Sequence, residues 1–307
     1  MTLARDDQAL RCAVGVMAYN EERNLGRLLE ALRTQELSRC RIDSIIVVAS
    51  GCTDRTEPIA EQAASVDSRV HLIRQARREG KSSAINLFLK TARASGVDVC
   101  VLQSGDTLPE AGTIEALVRP MAEDPGIGMT GAHVVPVNSE GTLLGRIVRV
   151  LWKLHHRLAM EVPKMGELIA FRNLIASIPE DSAVDEVSVE SAITRAGLAL
   201  RYAPDAIVLN KGPETVSDFL KQRRRIHAGH LDVKRKAGYA PSTMSLPRVA
   251  RVFAAEVAAS PSSAPAAAGA AALEAVGRAL GAWDFYVAHR NHTVWDIAVT
   301  TKNVEGH

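Results

Sequence analysis

Four short apolar runs alternate with three helix-forming ones in about the first hundred residues of the chain. Residues 11–18 are apolar and end in the turn Tyr19-Asn20-Glu21-Glu22; residues 24–37 follow with Leu25, Leu28, Leu29 and Leu32 at helical spacing. Residues 44–49 read as a second buried strand, which leads through Ser50-Gly51-Cys52-Thr53-Asp54 into a helix over 59–64. A third strand at 70–74 precedes Gly80-Lys81 and a helix over 82–94, and a fourth covers 97–102. Strands alternating with helices in this way predict a parallel, doubly wound, Rossmann-like α/β sheet. Sheets of this kind bind ligands in the crevice beyond the carboxyl ends of their strands, so the loops after each strand are where functional side chains are expected.

The rest of the chain is less regular. Strands are predicted over 127–135, 167–172 and 201–209, and helices over 142–160, 186–196 and a basic 215–233. Beyond Ala240 the composition shifts to Ala, Ser and Pro, which sets a boundary between a catalytic unit, 1–240, and an extension, 241–307, with a helix over 266–280. Within the first unit, residues 11–110 form one half and 111–240 the other.

Composition narrows the function classes. A formal net charge of +2 over 307 residues is too small to argue for nucleic-acid binding. Cys12, Cys40, Cys52 and Cys100 have neither paired nor C-x-x-C spacing, so reduced core thiols are expected. The polar N-terminal octapeptide does not read as a secretory signal. The uncharged stretch 257–273 is mostly Ala, is broken by Ser and Pro, and falls short of about 20 strongly apolar residues. A cytoplasmic protein is expected. Arg248 and Arg251 beside the Ala-rich stretch leave open peripheral contact with the cytoplasmic face of a membrane, packing back on the catalytic unit, or a homodimer.

Among the loops, Val101-Leu102-Gln103-Ser104-Gly105-Asp106 carries an acidic side chain at the end of a strand. A hard carboxylate there suits Mg²⁺ or Mn²⁺ bridging to a diphosphate; the plainer reading is an Asx-type turn.

These motifs together carry a resemblance. Val14-Gly15-Val16-Met17-Ala18-Tyr19-Asn20-Glu21-Glu22 is similar to the opening strand of family 2 glycosyltransferases, which have the GT-A fold, with Met17 where that family's P-x-Y-N-E has proline. Residues 45–54 resemble its second strand and D-D-G-S-T-D turn, with Ala49 and Ser50 replacing the acidic pair. Gly80-Lys81 with Asn86 resembles G-K-x-x-A-x-N, and Ser104-Gly105-Asp106 stands in the place of D-x-D. Further on, residues 166–172 resemble the acceptor-side G-x-x-x-A-F-R, Asp185-Glu186 the E-D pair, and residues 222–226 the Q-x-x-R-W motif of processive and lipid-directed members, with Ile226 in place of Trp.

The resemblance implies an inverting, metal-dependent transfer of a sugar from a nucleotide-sugar donor to an acceptor, lipid-linked or polysaccharide, in building the cell envelope. It implies a nucleotide-sugar site at Ala18, Tyr19, Glu21, Ser50, Lys81, Ser104, Gln222 and Arg225, and Asp106 as the ligand of Mg²⁺ or Mn²⁺. Glu186 aligns with the general base, with Asp185 the adjacent fallback. Gly166, Glu167, Arg172 and His227 fall on the acceptor side. Ser50 offers one neutral hydrogen bond where a carboxylate would accept from a uracil N–H, so UDP is not implied. Each group also has an ordinary reading: Tyr19 as a strand-end aromatic, Lys81 and the Asp185-Glu186 pair as helix-start charges, and the arginines as a solvated face. Two other functions stand beside the leading one. A nucleotidyltransferase would use a similar sheet, although its G-x-G-T-R loop is absent from 14–22; a non-catalytic nucleotide-sugar-binding scaffold would explain the missing acidic residues.

Overall fold

The computed structural model describes residues 9–290 and 299–301. The N-terminal octapeptide and most of the tail beyond 290 lie outside the described residues.

One eight-stranded sheet runs through the molecule. Its strands are β1 (Leu10–Ala18), β2 (Cys40–Ser50), β3 (Val70–Gln75), β4 (Val99–Ser104), β5 (Thr107–Pro109), β6 (Ile127–Pro136), β7 (Leu168–Arg172) and β8 (Ala199–Asn210), in the spatial order β3-β2-β1-β4-β7-β6-β8-β5. The first four are parallel neighbours, β7 is antiparallel to β4 and β6, and β8 returns parallel to β6. The strand order reverses at β1, between β2 and β4. The expected ligand crevice therefore lies beyond Ala18, Ser50 and Ser104.

Hydrophobic periodicity sets the layers. Along β1, Cys12, Val14, Val16 and Ala18 face one core, shared with Leu25, Leu28, Leu29 and Leu32 of α1 (Leu25–Arg33). Ala13 and Met17 face the other, under Ile85, Phe88 and Leu89 of α3 (Lys81–Ser95). Gly15 has to be glycine, because an added Cβ would meet the Phe88 ring at 2.5 Å. The second helix, α2 (Thr56–Val66), covers β2 and β3.

The first helix ends at Arg33, earlier than the expected 24–37. A helix beyond those expected, α4 (Thr113–Glu123), buries Ile114, Leu117, Val118 and Met121 against the first core. Thr142 and Thr215 cap α5 (Leu143–Glu161) and α7 (Val216–Ala237), their hydroxyls accepting from Gly145 N and Asp218 N. Between them in sequence, α6 (Asp185–Arg195) packs over β8. The C-terminal helices α8 (Leu246–Ala259) and α9 (Ala264–Trp283) lie against α5 and α7, where Ala266, Ala267 and Ala270 share a core with Ile147, Val148 and Phe219. None of the four cysteines forms a disulfide, and Cys12, Cys40 and Cys100 are core residues. Among the described residues, no helix is long and apolar enough to cross a membrane.

Candidate active site

The loops after β1 and β2 are knitted together by side chains of the N-E-E and T-D sequences. Asn20 adopts a left-handed conformation (φ 53°) that asparagine tolerates better than most residues. Its amide exchanges hydrogen bonds with Thr53, accepting from the backbone N at 2.8 Å and donating to Oγ1 at 3.1 Å. Glu21 N donates to Thr56 Oγ1 at 2.7 Å, and Glu22 N to Asp54 Oδ2 at 3.1 Å. This lattice presents Tyr19 at the rim of the cleft, with the Arg78 guanidinium 4.5 Å above its ring. The Glu21 carboxylate is buried, accepts from Asn24 Nδ2 at 3.1 Å and lines the cleft. Ser50 is buried on the same wall, and its Oγ has no hydrogen-bond partner.

Opposite them, Gly105 N donates to Met17 O at 3.1 Å, folding Ser104-Gly105-Asp106 against the end of β1 and bringing Asp106 into the cleft. Lys81, in the first turn of α3, donates to Ser104 Oγ at 3.2 Å and lies 2.9 Å from Asp185 Oδ2. The same helix holds the loop that leads to Asp185: Asn86 donates to Ile178 O and accepts from Ile178 N, and Ser82 Oγ donates to Ser182 O. Asn86 is thus a clamp for that loop. From α7, Arg225 Nη1 donates to Ala183 O at 2.7 Å, and Gln222 lines the same cavity.

The cleft is a cavity of about 460 Å³, the size of a small-ligand site. Asp106, Glu167, Asp185 and Glu186 converge on it with Lys81 and Arg225. Burial raises the Glu167 carboxyl to about 7, reinforced by Glu186 and Asp106 and opposed by Lys81 and Arg225. Burial and then Asp185 also raise Glu186. Burial alone would depress the Lys81 ammonium, but Asp185, Glu186 and Glu167 outweigh it and hold the lysine protonated. The chemistry available is therefore a carboxylate able to accept a proton, beside cations suited to an anionic group.

The structure thus brings together Ala18, Tyr19, Glu21, Ser50, Lys81, Ser104, Asp106, Gly166, Glu167, Asp185, Glu186, Gln222, Arg225 and His227. Arg172 is the exception and corrects the acceptor-side assignment. It closes β7 at the opposite end from Glu167, and its guanidinium donates to the carbonyls of Ile127, Met121 and Asp124. Five residues of extended strand separate the two ends, so one β7 motif cannot serve a single ligand with both. Arg224, which also lines the cavity, pairs with buried Asp284. Of the adjacent histidines, His155 packs edge-on against Trp152, while His156 stacks on His133 and bonds the Tyr202 hydroxyl at 2.8 Å. Sequence reasoning missed Glu190, which is fully buried one turn after Glu186. It accepts from Met165 N at 3.1 Å and Tyr239 OH at 2.9 Å; its i, i+4 spacing from Glu186 was the available signal.

A divalent ion fits this donor set only with help. Among the described residues, no three His, Cys, Asp or Glu side chains are grouped to hold a metal. Asp106 supplies one hard carboxylate, and the remaining ligands would come from substrate oxygens, as is usual for Mg²⁺.

The fold is that of the GT-A glycosyltransferases. Residues 13–165 match Glycosyl transferase family 2, and this part of the chain belongs to that family. The chain is similar to the probable glycosyltransferase YdaM of Bacillus subtilis (strain 168), with 22% identity over 235 residues, covering 72% of this chain and 55% of that protein. It thus spans about half the length of that curated relative. Mannosyltransferase PcManGT from Pyrobaculum calidifontis, solved in complex with GDP-Man and Mn²⁺, shares the fold at a TM-score of 0.63 and 22% identity, over 92% of this chain and 90% of that one. Glucosyl-3-phosphoglycerate synthase from Mycobacterium tuberculosis, in complex with Mn²⁺, UDP and glucosyl-3-phosphoglycerate, follows at a TM-score of 0.52 and 19% identity, over 76% of this chain and 81% of that one.

Proposed function

We propose that this protein transfers a sugar from a nucleotide-sugar donor to an acceptor hydroxyl, with inversion at the anomeric carbon. The observation that carries this reading is the convergence of Asp106, Glu167, Asp185 and Glu186 with Lys81 and Arg225 in one cleft at the β1/β4 switch point. The likeness to structures holding GDP-Man or UDP with Mn²⁺ supports a nucleotide donor and a divalent ion.

In this reading Tyr19 covers the nucleobase face, and the orphaned Ser50 hydroxyl meets its edge. Asp106 would hold Mg²⁺ or Mn²⁺, which would supply positive charge to the leaving diphosphate. Arg225, with Gln222 one turn before it, faces the same group. Glu186 takes the proton from the acceptor hydroxyl as its oxygen bonds to the anomeric carbon; the bond from that carbon to the diphosphate breaks, and the electron pair leaves with the diphosphate. The Lys81 ion pair on Asp185 supports giving the base role to Glu186. The reading carries with it a cytoplasmic reaction serving cell-envelope polysaccharide, performed by the 1–240 unit, with the 241–307 extension contacting acceptor, membrane face or a second copy.

The test is calorimetry with a panel of nucleoside diphosphates, with and without Mn²⁺, on the wild type and Asp106→Ala. Metal-dependent binding of one nucleotide, lost in the variant, is expected and names the base. Nucleotide binding that ignores both metal and Asp106 would remove the metal role and favour a scaffold. No binding of any nucleotide would overturn the reading.

A further inference from the structure

The cleft continues past Glu167 and Glu186 into an arm whose outer wall is built by the C-terminal helices. Leu154 and Leu158 of α5 and Val249 and Val252 of α8 line it together with Arg223 of α7 and Glu274 and Arg278 of α9. The α7, α8 and α9 residues of this wall lie beyond the family match at 13–165.

The polar part of the arm has a surplus of positive charge and unused donors. Two guanidiniums share a single carboxylate: Arg278 Nε donates to Glu274 Oε1 at 2.9 Å, whereas Arg223 Nε stands 3.8 Å from Glu274 Oε2, beyond hydrogen-bond reach. Arg223 Nε, Glu274 Oε2 and the hydroxyl of Thr243, whose carbonyl accepts from Arg278 Nη2 at 3.2 Å, are all buried with no hydrogen-bond partner. Leaving such donors buried and unpaired is unfavourable, which a ligand oxygen would relieve. His230, on the same α7 face, is held neutral by burial and then by Lys164, His227, Arg278 and Arg223. The ammonium of Lys164 is already committed to Met165 O at 2.6 Å, with Glu190 at 3.7 Å.

We propose that this arm is the acceptor subsite and takes an amphiphile, its anionic head, a phosphate or carboxylate, at Arg223 and Arg278 and its apolar chain along Leu154, Leu158, Val249 and Val252. The inference rests on the glycosyl-transfer reading and specifies its acceptor class. A guanidinium pair suits the oxygens of such a head, and the aliphatic wall gives the chain a place out of water.

The test is calorimetry on the full chain with four probes below any micelle concentration: octyl phosphate, octanoate, octyl glucoside and inorganic phosphate. Octyl phosphate or octanoate is expected to bind at least tenfold tighter than octyl glucoside and inorganic phosphate, and the better of the two names the head. Arg278→Gln should weaken that probe at least tenfold and Arg278→Lys should restore it to within about threefold; Arg223→Gln serves if Arg278→Gln does not fold. Equal binding of octyl glucoside, inorganic phosphate as tight as octyl phosphate, or indifference to both arginine substitutions would each overturn the proposal. The nucleotide panel on the same wild-type protein keeps the two readings apart. Nucleotide binding without amphiphile binding sinks only the acceptor assignment, and failure of the nucleotide panel sinks the reading it rests on.

Discussion

Lys81 Nζ lies 2.9 Å from Asp185 Oδ2, in a pair whose side chains are 20% and 6% exposed. It joins the first turn of α3, in the donor half, to the first turn of α6, which carries the candidate base. Breaking a buried pair by removing one partner strands the other charge. Lys81→Met is therefore expected to cost about 3 kcal/mol in urea denaturation, and Lys81→Met with Asp185→Asn should regain about half of it. A neutral Lys81→Met would show that the pair does not hold the two helices.

Glu167 gives the ligand-free protein a pH signature. Its folded-state value of about 7 lies above the unfolded carboxyl at about 4.3, so folding favours its proton. The stability linked to that proton is complete below about pH 4 and is lost as pH rises through 7, at about 1.4 kcal/mol for each pH unit between the two values. Glu167→Gln should be more stable than wild type by up to about 4 kcal/mol at pH 8 and indistinguishable at pH 4. Thermal unfolding across pH measures this, and a parallel wild-type and variant profile would refute it.

Glu190 couples the helix of Glu186 to the strand entry of Glu167, because it bonds Met165 N, two residues before Glu167. Glu190→Ala leaves that N–H and the Tyr239 hydroxyl without their acceptor and Lys164 without its counter-charge, and should cost about 3 kcal/mol. Tyr239→Phe, which removes one bond to a carboxylate, should cost about 1.5 kcal/mol. Chemical denaturation of both variants tests the ranking.

Gly281 lets α9 approach the backbone of α7. A Cβ there would stand 2.5 Å from Arg224 O and 2.9 Å from His227 Cβ. Since the helix backbone cannot yield as a side-chain tip can, Gly281→Ala should cost about 1–3 kcal/mol and push α9 outward. Protease sensitivity of the C-terminal helices should rise with it.

Ser50 separates packing from binding. With its Oγ buried and unpartnered, Ser50→Ala should leave the ligand-free protein unchanged or more stable by up to about 1 kcal/mol. The same variant should bind the donor nucleotide several-fold more weakly; an unchanged affinity would mean the hydroxyl does not meet the base.

Much of this was legible in the linear chain. Leu25, Leu28, Leu29 and Leu32 announce their helix and its buried face, and the apolar runs of β1, β2 and β4 announce parallel strands, because period and burial are local properties of sequence. The loops after the strands were the expected place for functional side chains, and Tyr19, Ser50 and Asp106 line the cleft from them, although the roles of Tyr19 and Ser50 were implied by the family resemblance. In α4, Ile114, Leu117, Val118 and Met121 carried the same signal, but Pro120 sits inside the helix and interrupts its pattern.

What the sequence by itself determined was therefore the alternation of elements, the faces they bury and the loops that bear polar motifs. The tertiary structure alone decided which charges meet. Lys81 finds Asp185 across 104 positions, Arg172 turns to carbonyls at the far end of its strand, and Arg223 and Arg278 share Glu274. The reason is range. A hydrophobic period is written by neighbours three or four residues apart, whereas an ion pair or a cleft wall depends on packing between elements that no local pattern encodes.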